Sequence, residues 1–507
     1  MPKRQRELSP MPIFDPIRLV AFLKARGSKK PQLHANLVWK YLMRTPGATI
    51  ENLHLMLPCK IPPFLIPAIQ LHFVMFTSTF VKQVTSQDGS TTKMLLRLQD
   101  GVDIETVIMR HGCTTARRVE GEKRTTICVS SQIGCKMGCK FCATGTMGEI
   151  GSLWSGEILE QILMASWKCG VDVRNVVFMG MGEPMNNYDN MKSAVLQLIH
   201  RETFCLSPRR ITVSTVGIVP KMLSFTDELG QQGVSLALSL HAPNQALRAS
   251  FVPAARAYPL DKLMNAVDVY ILRTQKKILV EYCLMKGMND GDHDARELGA
   301  LLQTRKDHVL LNLIPYNDTS VDAKYDAPAR SDVLAFCRIV KEYGVRSTVR
   351  REMGSDVAAA CGQLVVDKNS GEQGQAGQKG KEGKGEHNEG QHGGQNEGQG
   401  GQDRASGGLV DMEDLFSRGG GGGVKQLSRQ KLERWEARRG HRAALKRITK
   451  SHAEEKGSGG KECHTVGSST TPMTMTMEDV CSLVDQDVVR DRTYVPREDG
   501  RPLFPAM

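Results

Sequence analysis

Cys135, Cys139 and Cys142 stand in the run Cys135-Lys136-Met137-Gly138-Cys139-Lys140-Phe141-Cys142, three thiols spaced C-x3-C-x2-C within one loop. Thiolates so close together hold three corners of a metal site. Structural zinc wants four ligands, and the next nearby thiol, Cys128, belongs to the preceding apolar run rather than to a second ligand pair. An iron–sulfur cubane held by three thiolates leaves one iron open, a reactive arrangement whose last ligand must come from a cofactor. Spacing alone accommodates either metal.

The surrounding elements suggest how such a loop is positioned. Strand-like, β-branched runs fall at 126–131, 175–179, 211–214, 234–240, 278–284 and 309–314, with helical periodicity between them at 156–167, 190–200, 260–274 and 295–303. Six such strands alternating with helices predict a parallel sheet with right-handed crossovers, open or curled into a barrel. Working groups then belong at the carboxyl ends of the strands. The cysteine loop follows the first strand, Gly180-Met181-Gly182-Glu183-Pro184 the second and Ser214-Thr215-Val216-Gly217 the third. Ser239-Leu240-His241-Ala242-Pro243-Asn244 ends the fourth and Pro315-Tyr316-Asn317 the sixth. Small and polar residues thus gather where the architecture wants a site.

Upstream, residues 16–110 read as a small α+β unit after a flexible 1–15. Leu33, Leu37, Val38, Tyr41 and Leu42 recur at helical spacing, Thr49 is a candidate cap, and Met94 to Leu98 after the turn Asp88-Gly89 read as a strand. This unit carries no chemical constellation of its own, so it recruits substrate or only packs. Residues 111–366 form the catalytic part. From 367 to 423 Gly, Gln, Glu and Lys dominate, a composition that cannot bury a core and reads as a linker. Segment 424–450 carries ten Lys or Arg against Glu433 and Glu436, either a basic helix that tethers RNA or a solvated tail, and 451–507 reads as disordered.

The chain has 507 residues and a formal net charge of +12, which points to a polyanionic partner such as nucleic acid. Its 13 cysteines are odd in number and irregularly spaced, which argues against a disulfide framework and for a reducing compartment. No apolar run is long enough to span a bilayer and Met1 to Arg6 lead into no signal-peptide core, so a cytoplasmic protein without a membrane partner is expected. Lys3, Arg4 and Arg6 are the only hint of an organelle transit segment.

With Phe141 just before its last cysteine, C-x3-C-x2-C resembles the radical S-adenosylmethionine (SAM) signature, and Gly182-Glu183-Pro184 is similar to that superfamily's GEP element. The likeness narrows further. Val129-Ser130-Ser131-Gln132-Ile133-Gly134-Cys135, Gly180-Met181-Gly182-Glu183-Pro184, Ser239-Leu240-His241-Ala242-Pro243-Asn244, Asn312-Leu313-Ile314-Pro315-Tyr316-Asn317 and Ala359-Ala360-Cys361-Gly362-Gln363-Leu364 resemble, in order, the RlmN/Cfr family of RNA adenine methyltransferases. The resemblance runs from about Pro16 to Leu364 and implies an α/β fold, a partial (β/α)6 barrel of the radical SAM type with the small N-terminal α+β domain; it does not cover the disordered basic C-terminal tail, which the composition alone suggests and which lies outside the usual family pattern.

It also implies roles. Cys135, Cys139 and Cys142 would hold one 4Fe-4S cluster whose open iron is chelated by SAM. Gly182, Glu183, Ser214, Ser239, Leu240, His241 and Asn317 would line the SAM pocket, with Glu183 accepting from the SAM amino group. Cys361 would take a methyl group from one SAM. A second SAM, cleaved reductively at the cluster, would give the 5′-deoxyadenosyl radical that removes hydrogen from that methyl, and the resulting methylene radical would add to an adenine ring carbon. Cys128 matches the thiol that resolves the adduct through a transient disulfide with Cys361, and Glu105 matches the family's proton-accepting carboxylate. An adenine ring C–H is a poor nucleophile, so a radical route suits it, and the base must be unstacked to reach the site. The implied partners are rRNA, with tRNA as a second substrate, and a flavodoxin- or ferredoxin-type electron donor, acting on a monomer.

The expected product is adenine methylated at carbon 2. The alternatives are methylation at carbon 8, as in Cfr, and a non-catalytic, metal-containing RNA-binding protein, which has no use for Cys128, Cys361 and Glu105. Taken singly, these residues also have plainer readings. Cys128 reads as a core cysteine, Cys361 as helix packing, Glu105 as a surface carboxylate and His241 as a structural histidine. Cys59, Cys113, Cys169, Cys205, Cys283 and Cys337 read as structural. One departure stands out: Gly148-Glu149-Ile150-Gly151-Ser152-Leu153 lacks the Arg-Asn pair many members carry before the equivalent leucine.

Overall fold

In the computed structural model the described residues are 6–56, 61–111, 124–319, 321, 325–351 and 353–364. The glycine-rich linker, the basic segment and the tail expected at 367–507 lie outside them, as do Cys59 and Cys113. One ten-stranded sheet organises the chain. Its strands are β1 (Thr79–Thr85), β2 (Thr91–Arg97), β3 (Asp103–His111), β4 (Arg124–Cys128), β5 (Asn175–Phe178), β6 (Ile211–Thr215), β7 (Ser235–Ser239), β8 (Ile278–Leu284), β9 (Val309–Pro315) and β10 (Arg346–Val349). They lie side by side in chain order. Pairings from β1 to β4 are antiparallel, and from β4 to β10 every pairing is parallel.

The six expected strands are therefore present, and a seventh parallel strand, β10, follows them. The strand expected near residue 94 is β2, and it joins the parallel strands through β3, which pairs with β4 so that Val107 lies opposite Cys128. Sequence composition explains the parallel half. A parallel sheet is buried on both faces, so its strands read as continuous apolar runs. β8 is buried at all seven positions and β6 at all five. Glu281, in the middle of β8, is a carboxylate in a run of apolar neighbours and needs a reason to be there.

Helices at Ser155–Cys169, Tyr188–Ile199, Leu260–Thr274, Asp292–Gln303 and Arg330–Glu342 fill the crossovers. Asp292–Gln303 buries Ala295, Leu298, Gly299 and Leu302, the stripe an amphipathic helix offers a sheet. Thr49 does not sit beside the next helix, Leu53–Met56; its hydroxyl accepts from Asn52 N–H one turn earlier, at 3.4 Å. Among the described residues no helix is long and apolar enough to cross a membrane.

The N-terminal segment is clamped to this scaffold by buried charge. Arg6 donates to both carboxylate oxygens of Glu157, at 2.6 and 2.7 Å, and to Asp100, at 2.7 and 3.1 Å. Asp15 caps helix Pro16–Ala25 by accepting from Arg18 N–H, and also accepts from Gly156 N–H at 3.1 Å. Removing one member of such a pair leaves the other charge buried alone. Arg6→Ala is therefore expected to destabilise the protein by about 3 kcal/mol, read as a lower urea midpoint; a loss under about 1 kcal/mol would place this pair with the weak surface bridges.

Candidate active site

At the carboxyl rim of the parallel strands lie two adjoining cavities, of about 160 and about 100 Å³. The larger is walled by the cysteine loop, Gly182, Glu183, Ser214, Ser239, His241 and Glu281. The smaller is lined by Val107, Met109, Cys128, Asn317 and Arg350. Cys142 and Cys361 line both.

The cysteine loop lies between the two strands of a hairpin, Gln132–Cys135 paired with Gly148–Ser152. Glu149 holds that hairpin where the family's Arg-Asn pair is missing, accepting from Gln132 Nε2 at 2.9 Å and Asn186 Nδ2 at 3.2 Å. Thiols sharing one zinc ion lie roughly 3.8 Å apart, given Zn–S bonds near 2.3 Å. The three sulfurs do not all fall within 4.8 Å of one another; among the described residues only His293, Asp294 and Glu297 form so tight a group. Wider spacing suits ligands on separate irons of a cluster. Burial pushes Cys135 up to about 12 and Cys139 well above its usual value, so metal must displace protons to bind there.

Glu183 is buried, and both its oxygens are occupied: Oε1 accepts from Met185 N–H at 3.0 Å and Oε2 from Val216 N–H at 2.9 Å. Burial nonetheless raises its pKa to about 7, which suits a carboxyl waiting for a cation. Gly182 has φ +95°, and a Cβ there would stand 2.5 Å from Gln132 Cβ, so only glycine fits this turn. Ser214 Oγ donates to Glu281 Oε2 at 3.2 Å and lies 3.3 Å from Ser239 Oγ. His241, at φ +62°, accepts from Cys283 N–H through Nδ1 at 3.0 Å and meets Phe141 edge to face at 4.9 Å. Burial holds it neutral, down to about 3, with Nε2 left to carry the ring proton.

Not every expected residue joins these walls. Leu240 is fully buried in the core and lines neither cavity, and its backbone N–H and carbonyl are bonded to Glu281 O and Arg248 Nε. Asn317 lines the smaller cavity rather than the larger, and its Nδ2 donates to Cys361 O at 3.2 Å. Glu105 is buried rather than at the surface, 2.9 Å from Lys93 Nζ, and sits two residues along β3 from Val107 on the same strand face. Cys283, expected to be structural, lines the larger cavity.

Arg350 was missed altogether. It follows β10, and its Nη1 donates to Cys361 Sγ at 2.8 Å while lying 3.9 Å from Glu281 Oε1, which has no hydrogen-bond partner. Glu281 inside an apolar strand was the available sequence signal; Arg350, next to Arg351, offered none. Burial raises Cys361, and the Arg350 guanidinium opposes that rise.

The chain resembles known proteins across this whole region. Residues 129–299 match the radical SAM superfamily. A probable dual-specificity RNA methyltransferase RlmN of Listeria welshimeri is 39% identical over 356 residues, 68% of this chain and 90% of the relative. One from Lysinibacillus sphaericus is 40% identical over 363 residues, 71% and 89% of the two chains. A crystal structure of a radical SAM methyltransferase from Sphaerobacter thermophilus is 37% identical with a TM-score of 0.61, over 70% of this chain and 99% of that one.

A pH dependence follows from Glu183. Between pH 4.5 and about 7 the folded, cluster-free chain keeps a proton that the unfolded chain gives up, so stability falls as pH rises through that window. Glu183→Gln is expected to flatten this slope in urea titrations at pH 5 and pH 8; an unchanged slope would show the carboxylate already ionised. The matched length, the cysteine loop and the cavities it shares with Cys361 agree: the chain belongs to the RlmN family of radical SAM RNA methyltransferases.

Proposed function

We propose that the protein methylates carbon 2 of adenine in large-subunit ribosomal RNA, and in transfer RNA, with Cys361 as the carrier of the methyl group. The observation that carries this reading is the position of Cys361. Its sulfur stands at the wall between a cavity with three cluster cysteines and Glu183 and a second cavity with Cys128. A protein that only bound metal and RNA would gain nothing from a thiol there.

The residues present fit a 4Fe-4S cluster and SAM: three buried thiols, a glycine cradle at Gly182 and a raised carboxyl at Glu183. Cys135, Cys139 and Cys142 would hold the cluster, and Glu183, Ser214, Ser239 and His241 would meet SAM. Bound there, the pair supplies reductive cleavage of SAM to a carbon radical, with the electron coming from a flavodoxin- or ferredoxin-type donor. Cys361, its sulfur accepting from Arg350, gives up its proton as it takes the methyl from another SAM, which leaves as S-adenosylhomocysteine. After losing one hydrogen, its methylene carbon bonds to the adenine. Glu105 accepts the proton leaving the adenine carbon. Cys128 then attacks the Cys361 sulfur, giving up its proton; a disulfide forms as the carbon–sulfur bond breaks, the released methylene takes up a proton to become the methyl group, and the one electron in excess would return to the cluster. Burial pushes the Cys128 thiol up to about 12, so it stays protonated until this step draws it out.

The test is anaerobic reconstitution with iron, sulfide, SAM and reductant, followed by nucleoside mass spectrometry of RNA. Expected is 2-methyladenosine with the wild type, none with Cys361→Ala, and a covalent protein–RNA adduct that persists with Cys128→Ala. Product from Cys361→Ala would remove the carrier role, and 8-methyladenosine alone would transfer the chemistry to carbon 8.

A further inference from the structure

Arg248 is a cation where no carboxylate answers it. Its side chain is fully buried on the short helix Gln245–Phe251. Nε donates to Leu240 O at 2.9 Å, and Nη2 to Val216 O at 2.6 Å and Ser239 O at 3.3 Å. Among the described residues Nη1 has no hydrogen-bond partner. Arg6 and Arg350, also charged and enclosed, each face a carboxylate, Glu157 and Glu281. Burying a guanidinium against neutral carbonyls alone costs several kcal/mol. Such a charge persists where an anion is due.

The neighbourhood says which anion. Helix Gln245–Phe251 packs on the cysteine loop: Lys140 N–H donates to Phe251 O at 3.0 Å, and Phe141 meets the Phe251 ring edge to face at 5.9 Å. Cys139 lies one residue before Lys140 and two before Phe141, so these contacts set the helix that carries Arg248 against the cysteine loop at that residue. Arg248 lines neither cavity, so its guanidinium does not touch a molecule bound in them. What remains is action through its field, which is strong in a region of low dielectric.

We propose that Arg248 is the fixed counter-charge of the iron–sulfur cluster, a positioning residue whose field stabilises the reduced cluster and raises its reduction potential. This rests on the cluster reading of Cys135, Cys139 and Cys142. Three thiolates and a cubane make an anionic assembly, and one-electron reduction by the donor adds one more negative charge to it. A nearby buried cation favours that reduced state, as charge and burial set cluster potentials generally. Of the three carbonyls Arg248 grips, Val216 O and Leu240 O belong to the loops after β6 and β7 and Ser239 O to the last residue of β7, so the same side chain fixes the loops that carry Val216 and His241.

Two variants separate charge from clamping. Arg248→Lys keeps the charge and loses most of the clamp, while Arg248→Gln loses the charge. Each protein is reconstituted anaerobically without SAM and titrated with a chemical reductant, the reduced cluster being followed by electron paramagnetic resonance. Expected for Arg248→Gln is a shift of about tenfold toward the oxidised cluster, about 59 mV more negative for a one-electron couple, with Arg248→Lys staying near wild type. An unmoved midpoint in Arg248→Gln, or equal shifts in both variants, would overturn the proposal. Should Arg248→Gln fold by circular dichroism yet take up no cluster while Arg248→Lys does, the charge requirement stands. Should neither load, the clamp alone is at work and the proposal falls. A wild type that takes up no iron marks failure of the cluster reading instead.

Discussion

Parallel strands laid side by side in chain order bring all their carboxyl ends to one rim, and the site depends on that single constraint. Each strand from β4 to β10 delivers one or two residues there: Cys128, the Gly180–Glu183 turn, Ser214, Ser239 with His241, Glu281 and Cys283, Asn317, and Arg350. The contributions of different strands are far apart in sequence, yet none needs an unusual connection to arrive. The antiparallel strands β1 to β3 extend the sheet past β4, so that Glu105, Val107 and Met109 flank Cys128 from the side that the crossovers leave open.

Burial at this rim sets the electrostatics. Carboxyls and thiols are all driven toward their neutral forms by desolvation, Glu183 to about 7 and Cys128 to about 12. Opposing that drive are the cations placed among them. Arg350 bridges Cys361 and Glu281, and the Glu281 carboxylate in turn accepts from Ser214. One connected set of charges therefore runs from the wall of the larger cavity to the sulfur at the boundary with the smaller, and a change of charge on either side is felt on the other.

The fold was largely legible because parallel strands buried on both faces read as apolar runs at regular spacing. All six expected strands are present, and β10 escaped notice because Arg346-Ser347-Thr348-Val349 is short and polar, an edge strand with little to bury. The cysteine loop and Gly182-Glu183 were legible because their chemistry is local. Arg350 and Arg248 were not, since each matters through what folding places beside it: a thiol 2.8 Å away in one case, three carbonyls and the cysteine loop in the other. Leu240 lies outside the cavity walls for a related reason. A motif names a stretch, but alternation along the chain sends one side chain inward to the core while Ser239 and His241 on either side face the cavity.

Cys361 raises a different question, because it belongs to no strand end. It lies beyond the turn Ser355–Val357, between Ala358 at φ +48° and Gly362 at φ +87°, a stretch with little regular structure of its own. What fixes it comes from outside. Asn317 Nδ2 holds the Cys361 carbonyl, Ala143 N–H donates to Gly362 O at 2.8 Å, and Thr144 Oγ1 donates to Leu364 O at 2.5 Å. Ala143 and Thr144 directly follow Cys142, so the segment that carries Cys361 is anchored to the cysteine loop itself. Ordering that loop by metal therefore also orders the sulfur at the cavity boundary. Local segments held by a few polar contacts open more readily than core strands, so the segment that carries Cys361 is freer to move than Cys128, which β4 holds in the sheet.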